Sequence, residues 1–214
     1  MKQLYDDLWQ TTLEHPFADL NTHAYFLQRN EGNVLFYNTS NQDDIEAMSD
    51  MGGIIFQYLS HRHETGDSLS IIKERFKSQL CSDNLEEPHI SRVCKVDTVF
   101  SDRQTHSSNI EVIPTPGHTD GGLCFYYQSP NGLRYLFTGD TFFQSNGHWE
   151  TILIANDGGN KQKLVESLQI LRDLQPDVVM CSASVGDVSV VEVTHDTWVE
   201  SIDNNIGRLA RDAE

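Results

Sequence analysis

Gln57-Tyr-Leu-Ser-His61-Arg-His63-Glu-Thr-Gly-Asp67 is the stretch from which the 214-residue chain is best read outward. An apolar run, Gly53-Ile54-Ile55-Phe56, precedes it, and Leu69, Ile71, Ile72 and Phe76 follow it. The first run predicts a buried strand and the second an amphipathic helix. The two histidines therefore fall on a loop leaving a strand end beside a helix N-terminus, where open α/β sheets place their chemistry. In an extended loop, alternate side chains point the same way. His61 and His63 then face one ion, and imidazole suits zinc, iron, nickel or copper.

Two later segments repeat the arrangement. Thr115-Pro-Gly-His118-Thr follows the strand-like Ile110–Ile113, and Thr138-Gly-Asp140-Thr closes the apolar run from Leu133. Each places one metal-binding residue just after a Gly-bearing turn. Taken singly, the histidines read equally as polar loop residues and Asp140 as a turn cap. Three strand ends that each present a donor are more than composition supplies.

In this order the motifs resemble the metallo-β-lactamase fold superfamily, from the Asn21–Tyr37 region to Val179. The resemblance implies an α+β fold, a four-layer αββα sandwich of two mixed β-sheets flanked by helices. One such domain spans residues 1–214. The family usually reads His-x-His-x-Asp-His, but Thr65 and Gly66 stand where its Asp and second His belong. The family's last ligand is a His after a late strand, but here Asp177–Cys181 runs into Ser182-Ala183-Ser184. In family sites one ion takes the His-x-His pair and the His of Pro-Gly-His, with the Asp of Thr-Gly-Asp lying between the two ions. This chain keeps that first set, His61, His63, His118 and Asp140, and lacks every ligand private to the second ion.

The resemblance thus implies one transition-metal ion, zinc first, with iron or manganese as alternatives. Asp140 is the expected catalytic residue, holding or deprotonating a water. Lacking a second cation, its carboxylate is expected to lean toward the first ion or to accept hydrogen bonds from Thr65, Ser182 or Ser184. The expected reaction is hydrolysis of a small ester, thioester, amide or lactone. The alternatives are non-haem iron oxygenation of a sulfur substrate, and a non-catalytic metal- or ligand-binding member.

Whole-chain chemistry narrows the partners. Net charge is −17, from 32 acidic and 15 basic residues. Such an excess disfavours nucleic acid and anionic lipid, leaving a small-molecule substrate. Cys81, Cys94, Cys124 and Cys181 form no Cys-x-x-Cys pair and read as reduced, buried thiols. Met1–Leu8 lacks the apolar core of a signal peptide, and no run reaches membrane-spanning length. The expected location is cytoplasmic. Asp67 is expected to cap the helix after it. His148 belongs either at the substrate mouth or on the surface, and His89, His106 and His195 in solvent. Thr151–Ile154 reads as a strand, Lys161–Leu174 as a helix, and His195–Ala213 as a terminal helix with Trp198, Ile202, Ile206 and Leu209 on one stripe.

Overall fold

Residues alternate between two apolar clusters along the central strands. On Arg134–Gly139, Tyr135 and Phe137 enter one cluster and Leu136 the other. On Leu123–Gln128, Leu123, Phe125 and Tyr127 enter the first and Cys124 the second. On Val178–Cys181, Val178 and Met180 oppose Val179 in the same way. A period of two, apolar on both faces, is what a strand covered on both sides requires.

The computed structural model describes residues 1–211. A seven-stranded sheet runs in the order Lys2–Tyr5, Leu8–Gln10, Tyr25–Leu27, Val34–Phe36, Phe56–Tyr58, Gln79–Asp83, Thr98–Phe100. It is antiparallel at first and parallel from Val34–Phe36 onward. A six-stranded sheet runs Gln104–His106, Ile110–Pro114, Leu123–Gln128, Arg134–Gly139, Val178–Cys181, Val190–Glu192. Its one parallel pair joins Arg134–Gly139 to Val178–Cys181. The two sheets meet through aromatic rings: Phe36 stacks on Phe137 at 3.8 Å between centroids, and Phe36 and Tyr58 each lie 5.3 Å from Phe125.

Helices Lys161–Arg172 and His195–Arg211 cover the far face of the second sheet with Leu164, Leu168, Leu171, Trp198 and Ile202. Helix Ser68–Phe76 places Leu69 with Leu59, Leu80 and Ile90 beyond the first sheet. The four-layer αββα sandwich is therefore as expected. The expected end of the last helix, at Ala213, lies outside the described residues. Among the described residues, no helix is long and apolar enough to cross a membrane.

Two expected strands are corrected. The strand before the histidines runs Phe56–Tyr58, not Gly53–Phe56, and Ile55 is exposed. Gly52 and Gly53 both adopt positive φ and carry the chain around the end of helix Gln42–Asp50 before pairing begins. Thr151–Ile154 forms no strand. Its backbone bonds go to His118 instead of a ladder: the Ile152 carbonyl meets the ring and the Ile154 N–H meets the His118 carbonyl. A third, five-stranded sheet of short segments was not foreseen. Its order is His148–Glu150, Phe143–Ser145, Ala183–Val185, Leu20–Thr22, Glu14–Phe17.

Candidate metal centre

Each expected donor follows a strand, and two glycines let the strand ends converge. Gly139 has φ +55° and precedes Asp140; a Cβ there would collide with Ser60 Oγ, beside His61. Gly117 has φ +140° and precedes His118; its Cβ would enter the backbone of helix Lys161–Arg172 at Leu164. Only glycine combines these torsions with such close approach. The His-x-His loop itself is not extended. It winds into a 3₁₀ turn, Arg62–Glu64, yet His61 and His63 still face one point, as expected, while Arg62 turns the other way. The histidines reach a common point by presenting different ring atoms.

His61, His63 and His118 offer ring nitrogens that lie within 4.8 Å of one another. His118 Nε2 is 3.3 Å from His63 Nδ1. Asp140 Oδ2 is 3.4 Å from His61 Nε2 and 3.8 Å from His118 Nε2. The outward nitrogens are all anchored. His118 Nδ1 donates to the Ile152 carbonyl at 3.0 Å, and His63 Nε2 donates to Asp157 Oδ2 at 2.9 Å. His61 Nδ1 meets Ser60 Oγ at 2.9 Å, and that hydroxyl donates onward to Glu64. A carbonyl and a carboxylate only accept, so each neutral ring keeps its proton outside and turns a lone pair inward. His61 Nε2 is buried and has no hydrogen-bond partner. Three converging lone pairs, one of them orphaned, beside a carboxylate form a donor set that fits a transition-metal ion.

The electrostatics agree. Burial works against a charge on His61, but the carboxylates of Asp140 and Glu64 outweigh it and raise the imidazole to about 10. Burial, and then the charge of His61, push His118 down to about 4. Burial opposes ionisation of Asp140, yet His61, His118 and the Ser182 hydroxyl hold its carboxyl well below the usual range. The cluster encloses positive charge: without an ion it is a proton on His61 Nε2 facing Asp140, which an entering ion would displace to free the inward lone pair.

Several supporting residues were missed from sequence. Arg62 points away from the site: its Nε lies 2.6 Å from Glu86 Oε2, and its backbone N–H donates to the same oxygen at 2.9 Å. Glu86 is fully buried, and Arg62 also reaches Asp120 and His89. His89 is thus half-buried and engaged, not free in solvent. His106 is likewise bonded, to the Tyr58 hydroxyl at 2.7 Å. The Tyr37 hydroxyl accepts from Gly139 N at 2.8 Å and donates to the Met180 carbonyl, fixing the turn that carries Asp140. Glu64, three residues after His61, was available from spacing alone. Asp157 lies 94 residues from its partner His63 and left no local trace.

Where a second ion's ligands would stand, the side chains are committed elsewhere. Thr65 Oγ1 donates to the Arg62 carbonyl at 2.5 Å, and Ser184 Oγ to the Gly186 carbonyl at 3.4 Å. Ser182 Oγ donates to Asp140 Oδ1 at 2.6 Å, which selects one of the three expected donors. Asp67 sits before helix Ser68–Phe76 but makes no side-chain cap bond, contrary to expectation. It lines a cavity of about 670 Å³ whose wall also includes His61, His63 and Asp140. His148 is exposed and outside that wall.

The family model described as the metallo-beta-lactamase superfamily matches residues 62–183, more than half of the chain. The chain belongs to the metallo-beta-lactamase superfamily. A hydroxyacylglutathione hydrolase of Pectobacterium atrosepticum is 34% identical over 101 residues, covering 45% of this chain and 34% of that protein. One from Bartonella henselae is 30% identical over 123 residues, covering 56% of this chain and 44% of that protein. The chain thus spans less than half the length of these curated relatives. Among solved structures, VMB-1 superposes with a TM-score of 0.72 at 15% identity, covering 100% of this chain and 97% of its own. A metallo-beta-lactamase from Pontibacter korlensis gives 0.69 at 14% identity, covering 98% and 97%. At such identities the likeness is one of fold, and within the superfamily this member departs at Thr65, Gly66 and Ser182–Ser184.

Proposed function

We propose that this chain is a metal-dependent hydrolase that uses one ion to cleave a small ester, thioester, amide or lactone. The observation that carries this reading is the convergence of three inward lone pairs, from His61, His63 and His118, on a point beside Asp140. Those four residues would hold the ion, with zinc favoured by an all-imidazole face. A divalent ion held there supplies Lewis-acid polarisation and makes water acidic enough to act near neutral pH.

The remaining chemistry belongs to the chain. Ser182 holds Asp140 Oδ1, which leaves Oδ2, facing His61 and His118, as the oxygen that would meet the ion's place and orient and deprotonate an attacking water. Ser60 and Glu64 keep the His61 proton on Nδ1, and Asp157 keeps the His63 proton on Nε2. The cavity of about 670 Å³ is large enough for a small acyl compound, with His61 buried in its wall. The hydroxyacylglutathione hydrolase relatives support hydrolysis of a thioester as the first chemistry to try.

Elemental analysis of protein purified without added metal, paired with a panel of activated esters and thioesters, tests the proposal. About one ion per chain and chelator-sensitive turnover are expected. Two ions per chain would overturn the single-metal assignment. Full occupancy with no turnover would leave a metal-binding module, and iron with oxygen consumption would move the assignment to oxidation.

A further inference from the structure

The charge of the cavity restricts what it can take. Glu14, Glu64, Asp67 and Asp140 line it, and among the described residues no lysine or arginine does. Glu14 and Glu64 accept hydrogen bonds from neutral donors. Glu14 accepts from the Thr39 hydroxyl at 2.6 Å and the Ser40 backbone N–H at 3.1 Å, and Glu64 from the Ser60 N–H at 2.8 Å. Asp67 is exposed and makes no cap bond. The guanidinium of Arg62, between His61 and His63, is turned away from the site and paired with Glu86 and Asp120. His15 and His23 also line the cavity, and burial lowers the pKa of His23, which favours its neutral form. A divalent ion among neutral imidazoles would offset two of the four carboxylates and leave two uncompensated. The buried Nε2 of His61, which faces the place of the ion, lies in the same wall, so the acidic cavity and the metal centre are one site.

We infer that the substrate carries a positively charged amine, seated in the part of the cavity lined by Asp67 and Glu14. Thr65 and Gly66 bring no charge to that region, so the substrate's ammonium supplies the positive charge that the protein lacks there. A glutathione thioester carries two carboxylates against a single ammonium, so its net charge is negative, and with no lysine or arginine lining the cavity it is expected to be a poorer substrate than a net cation. The identity of the scissile acyl bond rests on the hydrolase proposal; the preference for a cation rests on the cavity alone.

The test uses zinc-loaded protein and the 4-nitrophenyl esters of alanine, N-acetylalanine and N-succinylalanine, which share a leaving group and differ in charge. The expected order of kcat/KM is ammonium over neutral over carboxylate. A span of about tenfold or more is expected at low salt, narrowing as salt screens the cavity. Asp67→Lys should shrink the span toward unity and Asp67→Asn should do so partially, both at an unchanged melting temperature. An equal or reversed order, or a span that Asp67→Lys leaves intact, would overturn the inference while leaving the hydrolase proposal standing. If none of the esters is cleaved, the hydrolase proposal fails, and calorimetric titration with benzylamine and benzyl alcohol decides the rest. Tighter binding of the amine supports the cation preference, and equal binding overturns it.

Discussion

Glu64 and Asp140 press on His61 from opposite sides, one through the Ser60 hydroxyl and one directly at Nε2. Removing either charge should therefore be felt at the ion, by different routes. Asp140→Asn keeps a group for Ser182 to bond but loses the anion and the proton acceptor. Turnover should fall by roughly 10²–10⁴-fold, with weaker zinc retention measured against a chelator. Glu64→Gln leaves the inward face intact but loosens the outward anchor of His61. Zinc affinity should fall by about 10–100-fold with little change in melting temperature; unchanged affinity would show that Ser60 alone sets the ring. His118 and Asp140 were legible because each follows a glycine turn in a recognisable motif. Asp157 was not, because a hydrogen bond across 94 residues leaves no pattern in either segment. Asp67 was misread because its residue type suits a cap, whereas its backbone adopts helical torsions, φ −59° and ψ −27°, and makes no cap bond.

The His-x-His loop works as an element with two faces. His61 and His63 look into the site, while Arg62 reaches behind it to Glu86, which closes helix Glu87–Ile90 against the loop. Breaking one half of a buried ion pair strands the other, so Glu86→Ala should cost about 3–5 kcal/mol in urea denaturation. Asp83, at the end of strand Gln79–Asp83, stands next to this pair. Burial raises its carboxyl from 3.8 to about 6, with Glu86 and Asp120 adding to the effect against the Leu85 N–H. A raised carboxyl binds more protons folded than unfolded between those values, so its ionisation removes stability as pH climbs from about 4 to about 6. Asp83→Asn, which keeps an acceptor for Leu85, should flatten that decline, by about 3 kcal/mol at most. An identical pH slope in both proteins would show that Asp83 carries no such penalty. Sequence periodicity resolved the long strands and the helices, and it failed on the third sheet. Those segments are three or four residues long and mostly polar, and only their pairing with one another, partly across distant parts of the sequence, makes them strands.

At the scale of the molecule, the donors come from both halves of the chain, so ion binding and folding are coupled. Chelation should lower the melting temperature, and zinc at about a thousand times its dissociation constant should restore roughly 4 kcal/mol. A metal-independent melting temperature would contradict the centre described above. The sandwich was legible through the order of the three motifs; the apolar runs, Tyr135, Leu136 and Phe137 among them, fixed buried strands but by themselves gave only a mixture of α and β. The backbone's own contribution was not legible, since it has no sequence. The hold of the Ile152 carbonyl on His118 is the clearest case. A carbonyl survives every substitution, and the Ile152 side chain is 46% exposed. A library of point variants at position 152 should therefore look neutral, while deleting one residue between 151 and 154 should abolish metal binding. Natural relatives would then drift freely in letters across this segment yet keep its length fixed, a constraint written in spacing and not in identity.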